Sequence, residues 1–164
     1  MTIREICGLL RKKLFNNGYE YGFYLNGKKY KPDMSKGFDE EYFQLSKTLY
    51  RVQEPFITVR EKIGTCIDAV LVMRELLNEY GIPCRIWLIF KNSPHTILTF
   101  EAEEKIVYLE LTPQSTKPSY GKEIIYENEQ AFVAEYRENG YDISDVTDYI
   151  EIGRPPDFLL AKLK

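Results

Sequence analysis

No apolar run in the chain approaches the ~20 residues needed to cross a bilayer, so a membrane partner is not expected. Neither sign of charge prevails: 22 Lys and Arg stand against 25 Asp and Glu, for a formal net charge of -3. That balance gives no electrostatic reason for a polyanion, and nucleic acid is not expected as a partner. Cysteine is scarce and odd in number. Cys7, Cys66 and Cys84 form no CxxC pair, which predicts free thiols and a cytoplasmic setting and argues against a secreted disulfide framework. The N-terminal MTIREICGLLRKKLF carries Arg4 and Glu5 where a secretion signal needs an unbroken apolar core. Histidine is rarer still, His95 being the only one. Internal repeats and low-complexity linkers are missing as well. A single domain over 1–164 is expected, long enough to bury roughly two thirds of the surface of its unfolded chain.

What the chain does contain is a clear succession of elements. Ile3, Ile6, Leu9, Leu10 and Phe15 recur near one helical face, predicting an amphipathic helix over 3–15 that stops at Asn17-Gly18. The aromatic stretch YEYGFYLNGKKYKPD carries Asn26-Gly27, a strong hairpin signal. Its lysines and tyrosines read more simply as a surface hairpin with one buried aromatic face than as a platform for single-stranded nucleic acid. Residues 38–53 read as helix and EPFITVREK as an irregular or extended approach to Gly64. From Ile67 to Tyr80 the helical pattern is nearly all apolar, the profile of a central buried helix, closed by Gly81 and Pro83. Strands are expected at 84–90, 95–100 and 106–111, then a helix near 128–138. The fold class is therefore α+β.

The segment IGTCIDAVLVMRELLNEYGIPCR places Cys66 at a helix start, after Gly64-Thr65. A thiol there feels the positive end of the helix dipole and N–H groups without intrahelical partners, both of which favour thiolate. The N–H of Cys66 is also aimed at the carbonyl oxygen of whatever the sulfur attacks, and Gly64 is expected to leave room for that approach. A cysteine nucleophile needs a base, and His95 is the only imidazole available. A hairpin turning at residues 101–104 would set His95 directly opposite Glu110, with Ile97, Thr99, Tyr108 and Ile106 on the same face and Val107, Leu109 and Leu111 on the other. A carboxylate there would hold the imidazole's tautomer and stabilise its charged form. The set Cys66, Cys84 and His95 matches no zinc spacing and has no evident fourth ligand, so neither metal nor cofactor is expected. Asp68 reads as a residue that favours the helix dipole.

The order Gly-x-Cys-x-Asp-Ala, then Tyr-Gly-Ile-Pro-Cys-Arg, then His at a strand start, then an acid followed by Leu-Thr-Pro, resembles the transglutaminase-like superfamily of papain-like thiol enzymes over about residues 60–113. The resemblance implies a papain-like core whose central helix carries the nucleophile and packs on an antiparallel sheet. It implies Cys66 as nucleophile, His95 as general base and acid, and Glu110, in place of the family's usual Asp, as the orienting acid. Thr96 stands where an aromatic often follows the histidine. Gln53 is a candidate second oxyanion donor, because papain-like enzymes place a Gln or an aromatic upstream of the cysteine. The expected activity is thiol-dependent acyl transfer at an amide or peptide bond of a peptide or protein substrate, most simply hydrolysis. The alternative is a catalytically silent domain that binds a peptide or protein partner through the same cleft and Tyr19–Tyr30.

Overall fold

The computed structural model describes residues 1–160; residues 161–164 of the expected domain lie outside the described residues. Helix α1 (Ile3–Leu14) begins in a capping box in which Thr2 and Glu5 each accept from the other's backbone N–H. Ile3, Ile6, Cys7, Leu10 and Leu14 form its buried face. After β1 (Glu20–Tyr21), strands β2 (Phe23–Leu25) and β3 (Lys28–Tyr30) close the expected hairpin. Asn26 and Gly27 both sit at positive φ, 49° and 82°, as the two-residue turn requires.

Helix α2 (Glu40–Leu49) is shorter than the 38–53 expected, because Tyr50 turns to extended backbone at its end. The segment expected to be irregular is a helix, α3 (Pro55–Glu61). Pro55 at its start brings a φ suited to the first turn and lacks only an N–H that would have had no partner there. Lys62 ends it in the left-handed conformation, and the chain passes through the short β4 (Ile63–Gly64), which pairs in parallel with β1.

Helix α4 (Cys66–Glu79) follows, with the run Ile67–Met73 buried throughout. Strands β5 (Cys84–Phe90) and β6 (Pro94–Ala102) cover the expected 84–90 and 95–100, while β7 (Lys105–Leu109) ends short of the expected 111, Glu110 making only an isolated bridge to Tyr120. Two strands escaped the sequence pattern: β8 (Glu123–Tyr126), next to β7, and β9 (Asp142–Asp145), next to β5. Between them runs α5 (Glu129–Glu138). The sheet is antiparallel in the order β8-β7-β6-β5-β9.

Both faces of this sheet are covered. Leu88, Leu98, Phe100, Val107 and Leu109 meet α1 and α4 on one side, while Trp87, Ile97, Ile106 and Tyr108 meet Phe132 of α5 on the other. Five consecutive residues of β6, Thr96–Phe100, are therefore buried although their side chains alternate in direction.

The β6–β7 turn is Glu103-Glu104, both at positive φ, so Ala102 faces Lys105 and Thr99 faces Tyr108. The register is thus displaced from the expected one. Extended along the strands it sets Ile97, not His95, across from Glu110. A displacement of two residues preserves the faces, because side chains alternate with period two.

Candidate active site

The cysteine is placed by the start of α4. Thr65 is the N-cap, its hydroxyl facing the Asp68 N–H while the Asp68 carboxylate accepts from the Thr65 N–H at 2.9 Å. Asp68 is fully buried and also accepts from the Tyr50 hydroxyl (2.9 Å) and the Gln53 N–H (2.8 Å). Burial pushes its carboxyl up to about 6 despite these donors. Its role is to lock the helix start in place, a tertiary tie well beyond a favourable dipole.

Gly64 does not serve as open space for a substrate. A Cβ there would come within 2.9 Å of Asp68 Cβ and of Thr58 Cγ2. The glycine lets the cap and α3 close on each other.

Gln53 is buried and fully engaged. Its Oε1 accepts from the Tyr24 N–H at 2.7 Å, and its Nε2 donates to Thr58 Oγ1 at 2.9 Å and to the Ile63 carbonyl at 3.0 Å. Both amide hydrogens are spent, so none is left for an oxyanion. The candidate donor is a structural brace.

Cys66, His95 and Glu110 do come together. β6 pairs with β7 only from Thr99 onward, which leaves its first residues open on that side. The His95 ring there lies beside the Cys66 thiol, close enough to act on its ionisation, and Thr96 acts on the sulfur in the same direction. On the ring's other side, His95 Nε2 lies 2.6 Å from Glu110 Oε1, leaving Nδ1 for the thiol. Glu110, 3 % exposed, accepts further from the Tyr108 hydroxyl (2.7 Å) and the Thr112 N–H (3.0 Å).

The electrostatics follow from these contacts. Burial alone would raise the Cys66 thiol, but the bond and charge of His95 and the two Thr96 donors outweigh it and bring the thiol below its ordinary value. Burial alone would lower His95, and Cys66 and Glu110 together raise it to about 9. Burial would raise Glu110, yet His95, Tyr108 and Thr112 bring it down to about 2. All three shifts run toward one state, a thiolate beside an imidazolium beside a carboxylate.

The other cysteines differ. Burial pushes Cys7 up to about 12 and also raises Cys84. Cys84 pairs with Phe100 while His95 pairs with Ile89, so the two stand at opposite ends of the β5–β6 hairpin, roughly 17 Å apart along the strands. Cys84 cannot join a common metal site with His95.

Sequence reading gave Tyr108 and Thr96 no role in the site and missed Tyr50. Tyr108 was legible in principle, since it lies two residues before Glu110 on the same face of the strand. Tyr50 was not, because its partners Thr65 and Asp68 lie fifteen and eighteen positions away.

Compared with known protein families, with curated proteins and with solved structures, the chain matches none.

Proposed function

We propose that the protein is a thiol-dependent acyl-transfer enzyme acting on an amide or peptide bond, most simply by hydrolysis. We propose further that its core is of the papain-like, transglutaminase-like kind, set in the cytoplasm and acting on a peptide or protein. The observation that carries the reading is the His95 ring held between the Cys66 thiol and the Glu110 carboxylate.

In this mechanism the Cys66 thiolate attacks the carbonyl carbon, forming the C–S bond and driving the carbonyl π electrons onto oxygen. The N–H of Cys66, at the first helical position of α4, has no intrahelical partner and faces the developing oxyanion. His95 gives its Nδ1 proton to the leaving nitrogen as the C–N bond breaks, leaving a thioester and a neutral imidazole. That imidazole takes a proton from water, the hydroxide attacks the thioester, and the thiolate departs as the C–S bond breaks. Glu110 stays ionised and holds the ring by Nε2.

The test is single-turnover acylation with a panel of activated amides and peptide esters, followed by mass spectrometry of the intact chain. The proposal expects an adduct on Cys66 that forms in the wild type and not in Cys66→Ala, and that decays in water. Binding of peptides with no adduct on any substrate would favour the silent binding domain.

A further inference from the structure

Residues 32–49 are held differently from the rest of the molecule. Among the described residues, the hydrogen bonds of this segment close within it or onto the residues just after it. Asp33 N–H reaches Asp39, Asp39 in turn caps α2 through the Tyr42 N–H, and Gln44 bonds Glu40. Ser46 and Thr48 bond back to the carbonyls of Phe43 and Leu45. At the far end, Tyr50 N–H reaches the Ser46 carbonyl and Arg51 that of Thr48. None of the salt bridges among the described residues includes a residue of this segment. Helix α2 buries no residue, and Met34 and Phe38 stand 50 % and 66 % exposed.

The segment has fixed ends. Tyr30, just before it, stacks on Phe23 with ring centroids 4.9 Å apart, and Tyr50, just after it, is buried and bonded to Thr65 and Asp68. Among the described residues, it packs on the body between these ends by Tyr42 and, beside the fixed end, Leu49. The Tyr42 ring lies 6.4 Å from Tyr21, edge to face, and 6.1 Å from Phe23. Tyr21 is paired with Gly64, two residues ahead of Cys66. Burial, then the charges of Asp68 and Cys66, raise the Tyr42 phenol, consistent with a ring set over the nucleophile side of α4.

We propose that residues 32–49 are a hinged cover beside the start of α4 at Cys66, latched by the Tyr42 ring, and that a polypeptide-sized acyl donor reaches the sulfur when the latch swings out. This rests on the reading of Cys66 as a nucleophile. A short helix with no buried residue, which among the described residues has no ion pair and no hydrogen bond out of it beyond those to the adjoining Tyr50 and Arg51 and its cap Asp39, belongs to the low-stability end of a fold, where local opening is cheapest.

The experiment compares alkylation of Cys66 by iodoacetamide and by a maleimide bearing a large polyethylene glycol chain, at one pH, with sites identified by peptide mapping. The bulky-to-small rate ratio cancels the thiol's intrinsic reactivity, so it reports access alone. The pH profile of the small reagent reports separately on the thiolate reading. Tyr42→Ala should raise the ratio about tenfold, the scale expected when aromatic packing no longer favours the closed form. Tyr42→Phe, which keeps the ring, should leave it unchanged. An unchanged ratio in Tyr42→Ala overturns the cover. If Tyr42→Ala does not fold, native-state hydrogen exchange of the wild type decides. Amides of 43–49 exchanging by local opening well before those of α4 support the proposal, and exchange only with global unfolding overturns it.

Discussion

Glu110 Oε1 reaches His95 Nε2 at 2.6 Å beyond the last paired residues of β6 and β7, Thr99 and Tyr108, where the same register continued along the chain sets Ile97 and not His95 across from Glu110. Diagonal neighbours stand about 7–8 Å apart, a gap that only long side chains bridge. A contact over such a gap draws on the full length of the glutamate side chain, and an aspartate at this position would be one methylene shorter.

Glu110→Asp should accordingly impair the enzyme at least as much as Glu110→Gln, although it keeps the charge. Glu110→Gln keeps the reach and loses the charge, and should lower kcat far less than Cys66→Ala, which removes the nucleophile. Steady-state kinetics of the three variants on one acyl donor check this. An Asp variant with wild-type activity would contradict the diagonal geometry.

The reactivity of the three thiols should separate cleanly. Cys66 should alkylate with iodoacetamide well below pH 8, while Cys7, raised to about 12, and Cys84, also raised, stay slow. His95, raised to about 9, stays protonated over the range in which the lowered thiol ionises ahead of an ordinary cysteine. His95→Ala should move the Cys66 profile upward toward a free thiol, because the imidazolium is gone while the helix start remains. Equal rates at all three cysteines across a pH series would remove the basis for a thiol enzyme.

Gln53→Ala should act on stability. It leaves the Tyr24 N–H and the Ile63 carbonyl without their partners, a loss of about 2–6 kcal/mol at ~1–3 kcal/mol for each. Chemical denaturation measures this, and the pH profile of Cys66 alkylation in the folded variant should not move. A large fall in kcat with unchanged stability would restore Gln53 as an oxyanion donor.

Two buried carboxylates should bend the pH dependence of stability in opposite directions. Asp68 rises from 3.8 to about 6 on folding, so the native state holds its proton more tightly and stability falls as pH climbs through that window. Glu110 drops from 4.5 to about 2, so its contribution is present above 4.5 and is lost as pH falls toward 2. The difference in unfolding free energy between wild type and Asp68→Asn should therefore vary between pH 4 and 6 and level off above. A flat difference would show that Asp68 titrates normally.

The sequence by itself determined the elements whose causes are local. The Thr65-x-x-Asp68 spacing and the apolar run Ile67–Met73 specify a capped, buried helix. Asn26-Gly27 specifies a hairpin turn, and alternation along 95–111 specifies which residues share a face. The pairing of a lone histidine with Cys66 was legible because only one imidazole was available. The tertiary structure decided what depends on distant partners. It set the two-residue register displacement, because a tight Glu103-Glu104 turn replaced a looser one. It committed Gln53 to Tyr24, Thr58 and Ile63, and it filled the space beside Gly64 with Asp68 and Thr58. It paired β8 and β9 with strands far away in the chain, where short, half-exposed segments carry no period of their own. Local patterns record what each residue prefers, whereas hydrogen bonds between distant residues are settled only when the packed chain leaves each buried group a single partner within reach.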